Sequence, residues 1–377
     1  MPSVPEPHPA RNAGIDALRA GTTLLVVLHH TAITYGAIGG WYYKELATDR
    51  SPASMLLVFF CTLNQAWFMG LFFLLAGYYT PAALRAKGPW PHLRDRVRRL
   101  GVPLLVYGCV LGPITIALAQ TARGKPFTDT LLWLWRHTEF EKGPLWFAWA
   151  LLIFAVVVAL RGALVTQRDA PAATRPFPSN AALFGAALVT GAAAFALRLV
   201  WPVGREVWGL QLGYFASYVV LFIAGCLAAA PRWLEAWPDV QVRTWRRIAW
   251  IALPVLPVMA LFGGRLGLQG KTEGGWSVPA LVYAVWEPLL AWGVILCLLQ
   301  VCQRRFHGLA PFGQRLARRA FAIYVVHPPV VVGVALAWRL VAAPALLKLA
   351  VSGSVACVLC YLLAGALLRV PGLNRVL

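Results

Sequence analysis

The chain reads as an all-α polytopic integral membrane protein of about ten transmembrane helices with both termini cytoplasmic, and three observations predict this. Hydrophobic residues make up 59% of the 377 and charged ones only 13%, whereas soluble domains run near 45–50% apolar and about 25% charged. Ten apolar stretches lie at 15–36, 54–79, 101–121, 144–165, 180–200, 212–230, 246–264, 278–302, 319–338 and 342–368, each long enough for a helix to cross hydrocarbon. Lys and Arg divide unequally between the alternate loops: 21 fall on the side shared by the termini and 12 on the other, with Arg19 inside the first stretch. Cytoplasmic loops carry that excess.

The net charge of +20 could suggest nucleic acid, but the basic residues are dispersed among the loops and do not gather in one domain. Topology and anionic lipid account for them. No nucleic-acid role is expected.

Residues 1–14 hold four prolines and lack a signal peptide's apolar core, so they read as a short disordered cytoplasmic tail. The membrane domain is expected over 15–370, with 371–377 a second cytoplasmic tail. In the first span, Arg19 and His30 are eleven residues apart, close to three helical turns, so they share a face roughly 16 Å apart along the axis. Ionisable groups at such depth are costly and usually serve a pathway or a reaction. Asp16 is three residues before Arg19 and can pair with it, offsetting the desolvation of both. His29 points about 100° away from His30 and cannot share that face.

The second span ends Trp67-Phe-Met-Gly-Leu-Phe-Phe-Leu-Leu-Ala-Gly-Tyr-Tyr79, where Gly70, Ala76 and Gly77 offer small surfaces for close helix approach and the aromatic stripe reads as packing. The next loop contains Leu93-Arg-Asp-Arg-Val-Arg-Arg-Leu-Gly-Val-Pro103. Arg96 and Arg99 there share a helical face, and guanidinium forks suit phosphate; a positive-inside anchor is the plain alternative. The third span follows. Glu139-Phe-Glu-Lys-Gly-Pro-Leu-Trp-Phe-Ala-Trp149 enters the fourth span from the far side, suiting an aromatic belt or a hydroxyl-rich acceptor. The spans at 180–200 and 212–230 are short, and Arg198 and Arg205 at their junction, like Lys142, are cations without an assigned partner. In the ninth span Tyr324 and His327 stand three apart just before Pro328 and Pro329, a pair expected to break or kink the helix and to free backbone carbonyls that something must satisfy. The seven cysteines lie in or at the ends of apolar spans, and Cys357-Val-Leu-Cys360 has no charged or His neighbour, so packing is expected rather than redox or metal chemistry. No Walker-type loop and no dinucleotide fingerprint appears.

Five of these pieces, in order, carry a resemblance: Arg19 and His30 ten residues between, Phe72-Phe-Leu-Leu-Ala-Gly-Tyr78, Arg96-Val-Arg-Arg99, Gly143-Pro-Leu-Trp-Phe147 and Tyr324-Val-Val-His327-Pro. Together with the span count they resemble the membrane-bound acyltransferase family 3, from about residue 13 to 370. Within that family the short chain and the Gly-Tyr-Tyr-Thr-Pro81 continuation are most similar to glucan biosynthesis protein C-like members, which the family associates with succinylation of periplasmic glucans. Ala76 stands where many members have Ser.

The resemblance implies a multi-pass protein of the cell inner membrane that transfers an acyl group from cytoplasmic acyl-CoA, acetyl-CoA or succinyl-CoA as co-substrate and no metal, to a hydroxyl of an envelope carbohydrate or glucan. His30 would be the general base, with Asp16, His327 and Tyr324 as the other catalytic candidates. Arg19, Arg96 and Arg99 would hold the CoA phosphates, and Glu141, Trp146 and Tyr78 are the candidate acceptor contacts. Two rival classes fit parts of the same pattern. A proton-coupled secondary transporter would use His30 and His327 as relay groups, and an assembly subunit for envelope polysaccharide would do no chemistry; neither need bind acyl-CoA.

Overall fold

Asn12 opens the first helix by accepting the N–H of Ile15 on its side chain, at 3.0 Å, which satisfies one of the orphan donors of a helix start. The computed structural model describes residues 12–164, 175–262 and 271–377, with 265 and 267; the tail expected over 1–14 falls outside them as far as residue 11, and helix begins at Ala13. The long helices are α1 (Ala13–Thr34), α2 (Pro52–Lys87), α3 (Pro89–Thr121), then a short α4 (Phe127–Arg136), α5 (Gly143–Leu164), α6 (Asn180–Val200), α7 (Leu212–Ala229), α8 (Asp239–Phe262), α9 (Val278–Arg305), α10 (Pro311–Ala337) and α11 (Ala345–Leu367). Among the described residues no strand forms, and only two isolated bridges occur. The protein is an all-α multi-pass membrane protein.

Nine of these helices are long and apolar enough to cross a membrane among the described residues. The tenth, α1, has the length, 22 residues, but Asp16, Arg19, His29 and His30 dilute its hydropathy. Its burial explains how it tolerates them. It packs against α2, α9, α10 and α11, and thirteen of its residues are buried. Its threonines close their own hydroxyls onto carbonyls one turn back, Thr22 on Leu18, Thr23 on Arg19, Thr31 on Val27 and Thr34 on His30, so they present no bare polar atom to their neighbours.

The helix ends depart from the apolar stretches at the side that holds both termini. α2 runs on through Pro81 to Lys87, α3 begins at Pro89, α8 at Asp239 and α10 at Pro311. Hydropathy marks only the hydrocarbon crossing, whereas a helix can continue into water once its start is capped. Within α3 two π turns, Val97–Gly101 and Tyr107–Leu111, precede Pro103 and Pro113 within a few residues or overlap their approach, and the wider turns accommodate rings that lack an N–H. Arg96 is half-buried just before the first π turn, and Arg99 within it is exposed.

Pro328 and Pro329 do not break α10, which continues to Ala337. The carbonyl that Pro328 cannot serve, four residues back at Tyr324, is taken by the His327 ring, and the helix persists because that carbonyl has a new partner.

Close approach between helices comes from small residues. α2 packs most extensively on α7, and a Cβ at Gly77 would lie 2.1 Å from the Phe222 carbonyl oxygen, one at Gly225 2.1 Å from that of Leu74. Gly70 faces Leu221 in the same seam, as expected for Gly70 and Gly77. The seven cysteines are free, and Cys357 and Cys360 pack in the apolar layer between α1, α10 and α11. Leu377 at the chain end packs against the bundle.

Gly225→Val is expected to lower thermal stability in nanodiscs by the cost of overpacking, at least about 1–3 kcal/mol. Gly185→Val, at a position with nothing within 4 Å of a built Cβ, is expected to leave the melting midpoint almost unchanged.

Candidate active site

α1 and α10 run parallel, and two rungs join them. Near the terminal side Arg19 Nη2 donates to Asp16 Oδ1 at 2.8 Å and to the Ala317 carbonyl at 3.3 Å. Eleven residues further along α1 and ten along α10, His30 meets His327, with Nδ1 of the first 3.2 Å from Nε2 of the second. Arg19 and His30 therefore share the face that the spacing indicates, and that face looks at α10. His29 turns instead toward α2, its ring 4.9 Å from Phe68.

The hydrogen bonds order the two imidazoles. His327 Nδ1 lies 2.6 Å from the Tyr324 carbonyl, which can only accept, so Nδ1 carries the proton and, in the neutral ring, Nε2 presents a lone pair. His30 Nδ1 lies 3.0 Å from the Val26 carbonyl and against that lone pair, so it too is protonated and donates to both. The consequence falls on His30 Nε2. It is left unprotonated, with no protein partner among the described residues. Pro328 is the origin of this order, because it frees the carbonyl that fixes the first proton.

Three further side chains frame the pair. The Tyr324 hydroxyl donates to the Pro144 carbonyl and its ring meets Phe147 edge-on at 6.3 Å, which ties α10 to the start of α5. Trp41 stacks on His30 at 4.2 Å between ring centroids and lies parallel to His327 at 6.0 Å. Glu141 Oε1 accepts the Gly143 N–H at 2.7 Å and the Tyr42 hydroxyl at 3.1 Å, while Tyr42 also touches Tyr107 at 3.0 Å between oxygens. Burial, then Tyr107 and Glu141, raises the Tyr42 phenol above its ordinary value, which keeps it a donor. Gly143 sits at φ +44°, and a Cβ there would lie 2.0 Å from the Tyr42 oxygen, so only glycine fits the turn.

Trp41 and Tyr42 belong to the 35–51 segment, which is pinned at several points. Glu45 pairs with the buried Lys348 of α11, Tyr35 and Trp338 both meet the Ser352 hydroxyl, at 2.7 and 2.9 Å, and Ser54 caps the Gly36 carbonyl at 2.7 Å.

The predicted site residues therefore divide. His30, His327 and Tyr324 come together at the far end of the bundle, with Glu141 and Trp146 next to them through the Gly143–Phe147 entry. Asp16 and Arg19 pair at the terminal side. Arg96 lines a small cleft there with Ala76, Thr80, His92 and Leu100, and no contact among the described residues joins Arg19 to Arg96 or Arg99. Tyr78 is also at that end, donating to Glu235 at 2.7 Å, apart from Glu141 and Trp146. Trp41 was not singled out by the sequence, although the run Trp41-Tyr-Tyr-Lys-Glu45 is an aromatic cluster in a polar loop. Glu287, inside α9, was also missed; it pairs with Arg198, both almost fully buried, and accepts from Ser217 at 3.4 Å. An acid in an apolar span was the available signal. Among the described residues no group of three or more His, Cys, Asp or Glu side chains could hold a metal ion.

A family model described as an acyltransferase domain matches residues 12–365. No curated protein and no solved structure gives a significant match.

In protein labelled with 15N-histidine, solid-state NMR is expected to show a protonated Nδ1 and a bare Nε2 on both His30 and His327. Pro328→Ala restores an N–H that competes for the Tyr324 carbonyl, and the His327 signals are expected to become a mixture of tautomers; retention of one form would contradict the assignment.

Proposed function

The chain belongs to this acyltransferase family, and from that premise we propose an inner-membrane O-acyltransferase that moves an acetyl or succinyl group from cytoplasmic acyl-CoA to a hydroxyl of an envelope carbohydrate or glucan. The observation that carries the reading is the ordered imidazole pair, which leaves His30 Nε2 as a bare acceptor at the far end of the bundle. The Lys and Arg excess on the terminal side supports a cytoplasmic position for that end, and the Gly-Tyr-Tyr-Thr-Pro81 segment supports the glucan class of acceptor.

In this mechanism the acceptor hydroxyl gives its proton to His30 Nε2 as its oxygen attacks the thioester carbonyl. The new C–O bond forms, the tetrahedral intermediate collapses with cleavage of C–S, and the proton passes from His30 to the departing CoA sulfur. While His30 is an imidazolium, its Nδ1–H bonds to Val26 and His327 strengthen, because hydrogen bonds to a charged donor are stronger than neutral ones. His327 and Tyr324 position the base. Arg19, Arg96 and Arg99 bind CoA phosphates on the cytoplasmic side, Asp16 holding the Arg19 fork in place, and the cleft beside Arg96 adds Thr80 and His92 to that surface. Glu141 fixes the Gly143 turn, so its effect on the acceptor runs through the entry to α5 and Trp146, and Tyr78 belongs to the donor end.

With acyl-CoA and an envelope glycan fraction, His30→Ala is expected to lower turnover about 10²- to 10⁴-fold, the usual worth of a general base. His327→Ala is expected to lose about tenfold to a hundredfold, the worth of a hydrogen bond to a charged group. Arg19→Ala and Arg96→Ala are expected to raise KM for acyl-CoA more than they lower kcat. Because the base must be unprotonated, kcat/KM falls as pH is lowered. Full turnover by a correctly inserted His30→Ala protein would remove the role given to it, and absence of acyl-CoA binding would favour the proton-coupled transporter.

A further inference from the structure

Beside the imidazole pair, on the far face, lies a cavity of about 460 Å³ bounded by Trp41, Tyr42, Tyr43, Lys44, Ala119, Arg123 and their neighbours. Its volume falls in the range of small-molecule sites. Two features distinguish its wall from ordinary surface. The side chains of Lys44, Arg123 and Arg339 line it and make no ion pair or hydrogen bond among the described residues, while the one acid on the wall, Glu45, pairs through Oε1 with Lys348 and keeps Oε2 buried without a partner. The cavity therefore presents three uncompensated cations. The second feature is Trp41, which forms part of this wall and also stacks on the face of the His30 ring, so one indole touches both the cavity and the imidazole. Its Nε1–H is buried without a partner among the described residues, and Tyr42 meets the ring edge-on at 5.2 Å.

An aromatic face bounded by cations matches one ligand chemistry better than others. Sugar rings present axial C–H groups that pack on aromatic faces, and fixed cations select for carboxylate or phosphate. A neutral glucan would leave the three cations without a role. We infer that this cavity is the acceptor vestibule and that the acceptor is an anionic saccharide, one carrying carboxylate or phosphodiester groups, whose ring rests on the Trp41 side while Lys44, Arg123 and Arg339 hold its charge. This deepens the acyl-transfer reading and rests on it: the hydroxyl that reacts is the one the vestibule turns past Trp41 toward His30.

The test measures binding without turnover. Full-length protein in phosphatidylcholine nanodiscs is titrated with a hyaluronan tetrasaccharide, which carries two carboxylates, and with fully N-acetylated chitotetraose, a neutral chain of equal ring number, following tryptophan fluorescence and calorimetry. The acidic chain is expected to bind at least about tenfold more tightly, with the difference shrinking as salt rises. Arg123→Gln with Arg339→Gln is expected to remove that preference, and Arg123→Lys with Arg339→Lys, which keeps the charge, to retain most of it and to report on folding. Equal binding of the two oligosaccharides, or a preference that survives the double glutamine variant, overturns the proposal. So does displacement of the acidic chain by phosphatidylglycerol with the same arginine dependence, which would make the cavity a lipid headgroup site. If the acidic chain binds as expected while no acyl-CoA-dependent transfer occurs, the vestibule stands and the enzymatic reading fails; transfer without charge preference gives the reverse.

Discussion

Inside hydrocarbon a backbone carbonyl without a donor is costly, and Pro328 creates one at Tyr324. The chain answers with the side chain next to the proline. His327 gives its Nδ1 proton to that carbonyl, and from this single bond the rest of the site follows: a lone pair on the other His327 nitrogen, a proton on His30 Nδ1, and a bare His30 Nε2. Backbone chemistry in one helix thus sets the protonation pattern of a side chain on another. Pro328 is the means by which the two histidines are given different hydrogen-bonding patterns.

The bundle then separates two environments along one helix. α1 is enclosed by α2, α9, α10 and α11, and it carries a guanidinium near one end and an imidazole near the other. Each group is met by α10, Arg19 by the Ala317 carbonyl and His30 by His327, so the parallel pair is a frame with polar rungs at both ends and apolar packing between them. Glycines at the α2–α7 seam bring backbones into contact, and the 35–51 segment, held by Lys348 and Ser352, closes the far end over the imidazoles. Arg198 and Glu287 lock α6 to α9 nearby. A buried pair of this kind gives register more than net stability.

Much of this was legible from residue types alone. Nine helices apolar enough to cross, among the described residues, follow from hydrocarbon thickness, and the shared face of Arg19 and His30 follows from helical periodicity. Tyr324, His327 and the Gly143 entry could be marked as site candidates because polar groups and prolines in apolar spans demand partners. What could not be read were partners distant in the chain. Lys348 meets Glu45 303 residues away, and Glu287 meets Arg198 89 residues away, and no local pattern encodes either. The π turn that holds Arg99 was equally invisible, since periodicity assumes a constant helix. Of the break or kink expected at Pro328 and Pro329, the break does not occur, because the rule counts the lost backbone bond but not the neighbouring side chain that can replace it.

The bond from His327 to the Tyr324 carbonyl has a consequence for rotamer populations. An imidazole that swings away leaves the carbonyl bare, and an unmet buried acceptor costs about 1–3 kcal/mol. At room temperature that keeps the swung-out rotamer to roughly one molecule in six at the weak end and one in about 150 at the strong end. Prolyl substitution, usually counted as a loss of helix rigidity, here reduces the freedom of a side chain.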